Sequence, residues 1–248
     1  YSPLMCPGRK GRGPVYVKCR IITLFPEFFT SPLSTGLMGK AITAGILDVD
    51  IIDLRTYSDD PHRRCDDYTY GGGSGMVLKP EPLFRAIDAA AGEAATVLLT
   101  SPSGKVLNQK MVKELYASKD ICIVCGNYEG VDHRVVESRV DFEVSLGDYI
   151  ISGGEFAALV ILDAVARYAP GFMSNSESLL DESFENGLLE YPHYTRPEIC
   201  GGMAVPEVLM SGDHKKIDLW RRGVSIDKTR SVRPDLYRDY LIRKIRGE

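Results

Sequence analysis

The chain has 248 residues, 44% of them hydrophobic and 26% charged, with a formal net charge of −4. That is the composition of an ordinary globular protein, long enough for one large domain or two modest ones. Its longest uninterrupted apolar run, Phe156–Leu162, falls far short of the ~20 residues that span a bilayer, so no membrane partner is expected.

In chain order, "YSPLMCPGRKGRGP" carries positive charge with no apolar core behind it, unlike a secretory signal. Residues 1–16 are expected to be a disordered extension or a cloning remnant outside the fold. "VKCRIITLF" reads as a strand ended by Pro26, and "PLSTGLMGKAITAGIL" has helical spacing with Ser34 or Thr35 as N-cap. "DVDIIDLR" alternates as a second strand. The following "TYSDDPHRRCDDYTYGGGSGM" is too polar and glycine-rich for any regular element. "PEPLFRAIDAAAG" is a helix with Pro near its start and Gly92 at its end. "ATVLLTSPSG" is a strand into a turn, and "NQKMVKELYAS" a helix capped by Asn108. "DICIVCGNYEG" is a strand into a glycine-bracketed loop, followed by the short helix "VDHRVVESR". "DFEVSLGDYIISGG" carries the next strand, and "EFAALVILDAVARYAPG" a helix stopped by Pro170 and Gly171.

Strands alternating with helices predict an α/β domain with a mostly parallel sheet. Ligands of such sheets bind beyond the carboxyl ends of the strands, where "TSPSG", "CGNYEG" and "SLGDYIISGG" would gather. Residues 172–197 lack periodicity and read as a lid or an interdomain connection, with the domain boundary near residue 180. "SGDHKKIDLWRRG" and "RPDLYRDYLIRKIR" then read as basic helices. From Tyr191 onward 12 Lys and Arg stand against 8 Asp and Glu, a balance of +4; the first 190 residues carry 18 against 26, or −8. A basic segment on an acidic body points to a polyanion partner or to a solvated helical surface.

The six cysteines are Cys6, Cys19, Cys65, Cys122, Cys125 and Cys200. "CIVC" has metal-like spacing, but on a strand Cys122 and Cys125 face opposite sides and cannot share an ion. No metal site is expected, and buried reduced thiols fit a cytoplasmic protein.

"YGGGSGMVLKP" lacks the Gly-Lys-Ser/Thr ending of a phosphate loop, and the dinucleotide fingerprint is absent. A mobile loop able to close over a flat ligand fits it better. Gly147, Gly153 and Gly154 leave backbone groups accessible, which suits a nucleoside read by its edges or, equally, tight strand–helix packing. Arg167 lies near the end of an almost wholly apolar helix, four residues after Asp163. Such a helix must bury itself in the core or against another subunit. Asp181 and Glu182 are adjacent carboxylates in the connection; a closing lid could turn one into a general base.

Seven stretches in register resemble the bacterial tRNA (guanine-N1)-methyltransferases of the SPOUT superfamily. They are "LFPEFF", "YGGGSGM", "SPSG", "CGNYEGVDHRV", "SLGDYIISGGE", "DESFENGLLEYPHYTRPE" and "VPEVLMSGDHKKI". The resemblance covers residues 20–222, and "GDYIISGGE" and "PHYTRPE" are its most specific parts. It implies a trefoil-knotted α/β domain over 17–178, a connection over 179–190 and a basic, mostly helical tRNA-binding domain over 191–248. S-adenosylmethionine would be held by Pro102, Gly126, Tyr128, Glu129, Leu146 and Gly147, with Asp148, Tyr149, Ile150, Ile151, Gly153 and Gly154. The implied enzyme is a homodimer with sites built from both subunits, and related enzymes imply use of Mg²⁺.

The reaction implied is methyl transfer to N1 of guanosine 37 of tRNA, beside the anticodon. Glu182 stands where the family has its aspartate base, with Asp181 beside it, and Arg167 matches the arginine at the target guanine. Asn127 replaces an arginine of close relatives. The rival readings are a SPOUT enzyme acting on ribosomal RNA, which "PHYTRPE" argues against, and an RNA-binding relative that has lost catalysis.

Overall fold

The structure is a computed structural model that describes residues 15–173 and 182–246. The expectations for residues 1–14 and for Asp181 therefore lie outside the described residues. The chain divides into two compact units, Tyr1–Ser174 and Asn175–Glu248.

The first unit is built on five parallel strands: β1 (Val17–Thr23), β2 (Leu47–Asp53), β5 (Thr96–Val106), β6 (Asp120–Cys125) and β7 (Phe142–Ser145). Their spatial order is β2-β1-β6-β5-β7, with β6 at the centre between β1 and β5. Central parallel strands are covered on both faces, which is why β6 reads "DICIVC" with no alternation of polar residues. One face buries Ile21, Leu98, Ile123 and Val144 against α2 (Gly36–Thr43), α4 (Gln109–Ser118) and α6 (Glu155–Ala166). The other buries Ile22, Leu99 and Val124 against α3 (Pro80–Ala90) and α5 (His133–Arg139). Each fully buried Ile or Leu contributes about 1.5–3 kcal/mol by leaving water. Cys125 belongs to the first cluster and Cys122 to the second, as strand alternation requires. Arg20 of β1 pairs with Asp120 at the start of β6.

Helix signals act as read at α4, where the Asn108 side chain accepts a hydrogen bond from Met111 N at 3.0 Å. Elsewhere the elements shift. The first helical stretch is broken into α1 (Thr30–Ser34) and α2 by extended Thr35, whose hydroxyl donates back to Ser31 O rather than capping α2. The polar stretch before α3 is not wholly irregular. It holds a 3₁₀ turn, Leu54–Tyr57, and a hairpin of β3 (Asp66–Tyr68) and β4 (Met76–Leu78) around the glycine loop. The hairpin is docked by backbone bonds from Glu129 N to Met76 O and from Leu78 N to Gly130 O, both 3.0 Å.

Two corrections matter for the site. "TSPSG" is not a turn after a strand but part of β5. Thr100 and Lys105 both pair with Val144, so residues between them bulge out and β5 then rejoins β7. Pro102 sits in that bulge, where a missing N–H costs no ladder bond. Conversely, the apolar stretch after Leu146 is not a strand: β7 ends at Ser145, and 146–154 is a loop.

The second unit holds a small hairpin of β8 (Ile199–Cys200) and β9 (Met203–Ala204), then α7 (Glu207–Met210), α8 (His214–Val232) and α9 (Pro234–Arg246). Asp213 caps α8 by accepting from Lys216 N at 3.2 Å. The segment before the hairpin is fastened to α8 by Leu189 N donating to Thr229 Oγ1 at 2.8 Å and Lys228 Nζ donating to Glu190 O at 3.0 Å. No helix among the described residues is long and apolar enough to cross a membrane.

Candidate active site

The β5 bulge, the end of β6, the loop after β7 and the start of α6 enclose one cleft. Thr100, Ser101 and Pro102 form one wall, Val144, Ser145 and Leu146 a second, and Gly126 the floor. Tyr149, Ile150 and Ile151 cover it, and Gly153, Gly154 and Ala157 close the far side.

Glycine is required here by space. Gly126 N donates to Thr100 Oγ1 at 3.0 Å, and Gly154 N donates to Gly126 O at 2.7 Å. A Cβ at Gly126 would lie 2.4 Å from Thr100 O; one at Gly154 would lie 1.9 Å from Thr100 Oγ1 and 2.7 Å from Gly126 N. The three backbones thus meet with no room for a methyl group. At the entry to the loop, Ser145 Oγ donates to Gly147 O and accepts from Gly147 N, at 3.1 and 3.2 Å. Tyr149 N then donates to Gly147 O at 2.9 Å, a turn that takes the chain away from the sheet. Ile150 is 80% exposed, which is unusual for a β-branched residue in so apolar a stretch.

A buried polar cluster lies behind Gly153. Glu155, only 4% exposed, accepts from Thr23 Oγ1 at 2.7 Å on one oxygen and from Asn127 Nδ2 at 3.3 Å on the other. Burial pushes the Cys125 thiol well above its ordinary range, and the neighbouring Glu155 carboxylate pushes the same way. Burial likewise raises Cys122 to about 12, so neither thiol supplies a nucleophile near neutral pH.

Of the twelve residues expected around the donor, Pro102, Gly126, Leu146, Tyr149, Ile150, Ile151, Gly153 and Gly154 line the cleft. Gly147 and Asp148 belong to the same loop without lining it. Tyr128 sits half exposed at φ 57°, its phenol raised by desolvation and then by Asp66. Glu129 packs under the glycine loop, close enough that a Cβ at Gly75 would lie 2.5 Å from its Cγ. Arg167 is the C-cap of α6, and its backbone N–H returns to Asp163 O at 3.2 Å. Glu182 belongs to the second unit, where with Leu189, Tyr191, Arg221, Arg222 and Tyr240 it lines a separate cavity. There the Arg221 guanidinium lies over the Tyr191 ring at 4.7 Å.

Sequence reasoning missed Thr100, Ser145 and Glu155. The hydroxyls carry no sequence signal, being single small residues at strand ends. Glu155 did carry one: a carboxylate directly after Gly-Gly at the start of an otherwise apolar helix. Among the described residues no group of three or more His, Cys, Asp or Glu could hold a metal ion.

A parallel α/β sheet with a cleft at its strand carboxyl ends has the architecture of proteins that bind small ligands at that edge. The family profile of the tRNA (Guanine-1)-methyltransferase TrmD matches residues 17–239. A tRNA (guanine-N(1)-)-methyltransferase of Persephonella marina is 52% identical over 223 residues, which are 89% of this chain and 87% of that one. The enzyme of the same name from Thermosynechococcus vestitus is 51% identical over 90% of this chain and 95% of its own, and that of Borrelia turicatae 48% over 94% and 97%. The chain belongs to the tRNA (guanine-1)-methyltransferase TrmD family.

Proposed function

We propose that this protein transfers the methyl group of S-adenosylmethionine to N1 of guanosine 37 in tRNA. The observation that carries the reading is the backbone-walled cleft of Gly126, Gly153 and Gly154 in a chain of this family. Methylation of tRNA guanine at N1 is the family's activity; the donor, the position in the tRNA and the residue roles are the proposal.

The residues present fit the donor. Three glycines that admit no Cβ keep the cleft wall free of side chains, so that a flat base can approach the backbone, while Leu146, Ile150 and Ile151 supply apolar contact. When bound, S-adenosylmethionine supplies an electrophilic methyl group on a sulfonium. The methyl–sulfur bond breaks with its electron pair staying on sulfur, a carbon–N1 bond forms, and the proton on guanine N1 must leave. Glu182 accepts that proton, with Asp181 as the alternative carboxylate. The Arg167 guanidinium stabilises the negative charge developing on guanine O6. The raised thiols of Cys122 and Cys125 do not enter this scheme.

A homodimer with sites built from both subunits follows from the same reading. Its support is the exposed apolar stripe of Phe156 and Val160 on α6, extended by the Phe28 ring at 4.7 Å from Phe156. Buried, unpaired cysteines support a cytoplasmic enzyme.

The test is transfer of labelled methyl from S-adenosylmethionine to tRNA transcripts carrying guanosine or adenosine at position 37. Label in the first alone is expected. Equal label in both, or label only in ribosomal RNA, would remove the assignment, and donor binding without transfer would mark a binding protein that has lost catalysis.

Salt separates the two substrates. The second unit's Lys and Arg residues would neutralise tRNA phosphates, so log affinity for tRNA is expected to fall linearly with log salt. Donor affinity, carried by backbone bonds in a buried cleft, is expected to stay nearly flat. Titrating both ligands from ~50 to ~200 mM salt reads this, with roughly 10³-fold or more expected on the tRNA side for six phosphate contacts. Matching slopes would contradict it.

A further inference from the structure

We infer that Glu155 makes the donor cleft select for charge: its buried carboxylate favours the cationic sulfonium over the neutral thioether left after transfer. The inference rests on the donor proposed above. A carboxylate taken out of water is costly unless a cation or several strong donors compensate it. Glu155 has the hydroxyl of Thr23 and a longer bond from the Asn127 amide, both neutral. It pairs with no Lys or Arg among the described residues. Its place in the first turn of α6 offsets part of the cost through the helix dipole, but leaves no counter-charge.

The missing charge can come from the cleft. Gly153 lines the cleft, and a Cβ on it would lie 2.4 Å from Glu155 Oε2 and 2.7 Å from Asn127 Nδ2. The carboxylate therefore stands directly behind a wall with no side chain to separate it from a ligand. In a buried setting the attraction between opposite charges is weakly screened. A cationic donor gains that attraction on entering. The thioether, which has lost the charge with the methyl group, does not, so product release is favoured over donor release. The cost is that the same carboxylate stabilises the ground state of the donor rather than the transition state.

Asn127 makes the test clean. Its Oδ1 is buried with no hydrogen-bond partner. In Glu155→Gln a rotated Asn127 amide can accept from the new Gln Nε2, while Gln Oε1 still accepts from Thr23. The variant removes charge and keeps the bonds. Calorimetric titration of the intact protein with S-adenosylmethionine and S-adenosylhomocysteine should show the donor weakened on the order of tenfold or more, with thioether affinity unchanged. An analogue carrying a protonated amine in place of the sulfonium should follow the donor. Thr23→Val, which keeps the charge and loses one bond, should preserve the ratio of the two affinities. Should Glu155→Gln not fold, Asn127→Arg supplies the cation from the protein and should lower the same ratio. Equal weakening of both ligands would mean a purely structural role and overturn the inference, as would an unchanged ratio in a folded Glu155→Gln. If the unsubstituted protein binds neither ligand, the donor reading itself fails and takes this inference with it.

Discussion

Glu182→Gln is expected to slow methyl transfer by ~10²-fold or more while leaving donor affinity intact. Guanine N1 carries a proton at neutral pH, so its lone pair is not available for attack until a base takes that proton. Gln keeps the shape of Glu182 and cannot accept a proton. Donor affinity should survive because the cleft belongs wholly to the first unit, whereas Glu182 belongs to the second. Single-turnover rates with saturating tRNA isolate the chemical step. Arg167→Ala is expected to be comparably severe, since it removes the guanidinium proposed both to position guanine and to stabilise its O6. Asp181→Asn is expected to be mild. If Asp181→Asn proves the more damaging change, the base is Asp181 rather than Glu182. If neither carboxylate matters, solvent or the RNA takes the proton.

The second large effect is steric. In Gly154→Ala the new methyl would overlap Thr100 Oγ1 and stand 2.7 Å from Gly126 N and 2.9 Å from Cys125 Cα. Thr100 could rotate away, but the two backbone atoms cannot. The 2.7 Å bond from Gly154 N to Gly126 O must lengthen, and the two walls of the cleft move apart. Overpacking of this kind costs about 1–3 kcal/mol in stability. Donor binding suffers as well, because the displaced backbone forms the wall of the proposed donor cleft. Donor affinity is expected to fall at least tenfold, which corresponds to about 1.4 kcal/mol. Gly92→Ala, where nothing lies within 4 Å of the new atom, serves as the control and should change neither quantity. Unaltered donor binding in a folded Gly154→Ala would show that the glycines do not shape the site.

The parallel α/β class was legible because central strands leave an unmistakable mark: "IITLF" and "ICIVC" can be covered on two faces or not at all. The opposed faces of Cys122 and Cys125 were legible for the same reason. What misled was the assumption that apolar, β-branched residues imply a ladder. Ile150 and Ile151 are such residues, yet with Tyr149 they sit in a loop beside a cleft, where a ligand rather than a strand is their proposed partner. The mirror-image error came at Ser101–Gly104. Small residues and a proline signal a turn, and here they form a bulge inside a strand, with Gly104 passing so close to β7 that a Cβ would lie 2.4 Å from the Glu143 backbone. Strand order was not legible, since pairing of β5 with β7 across 40 residues leaves no local trace. The resemblance supplied eight of the residues that line the cleft; it did not supply Thr100, Ser145 or Glu155.

The order β2-β1-β6-β5-β7 also sets a timetable for synthesis. The strand made first, β1, is flanked by β2 and by β6, and β6 emerges about a hundred residues later. Until then a nascent chain holds one edge of β1 unpaired. Pairings so distant along the chain form slowly and leave sticky intermediates exposed. The cleft comes later still, since its walls reach from Thr100 to Ala157. A ribosome must therefore deliver the chain through Ala157 before the cleft proposed to hold the donor can form.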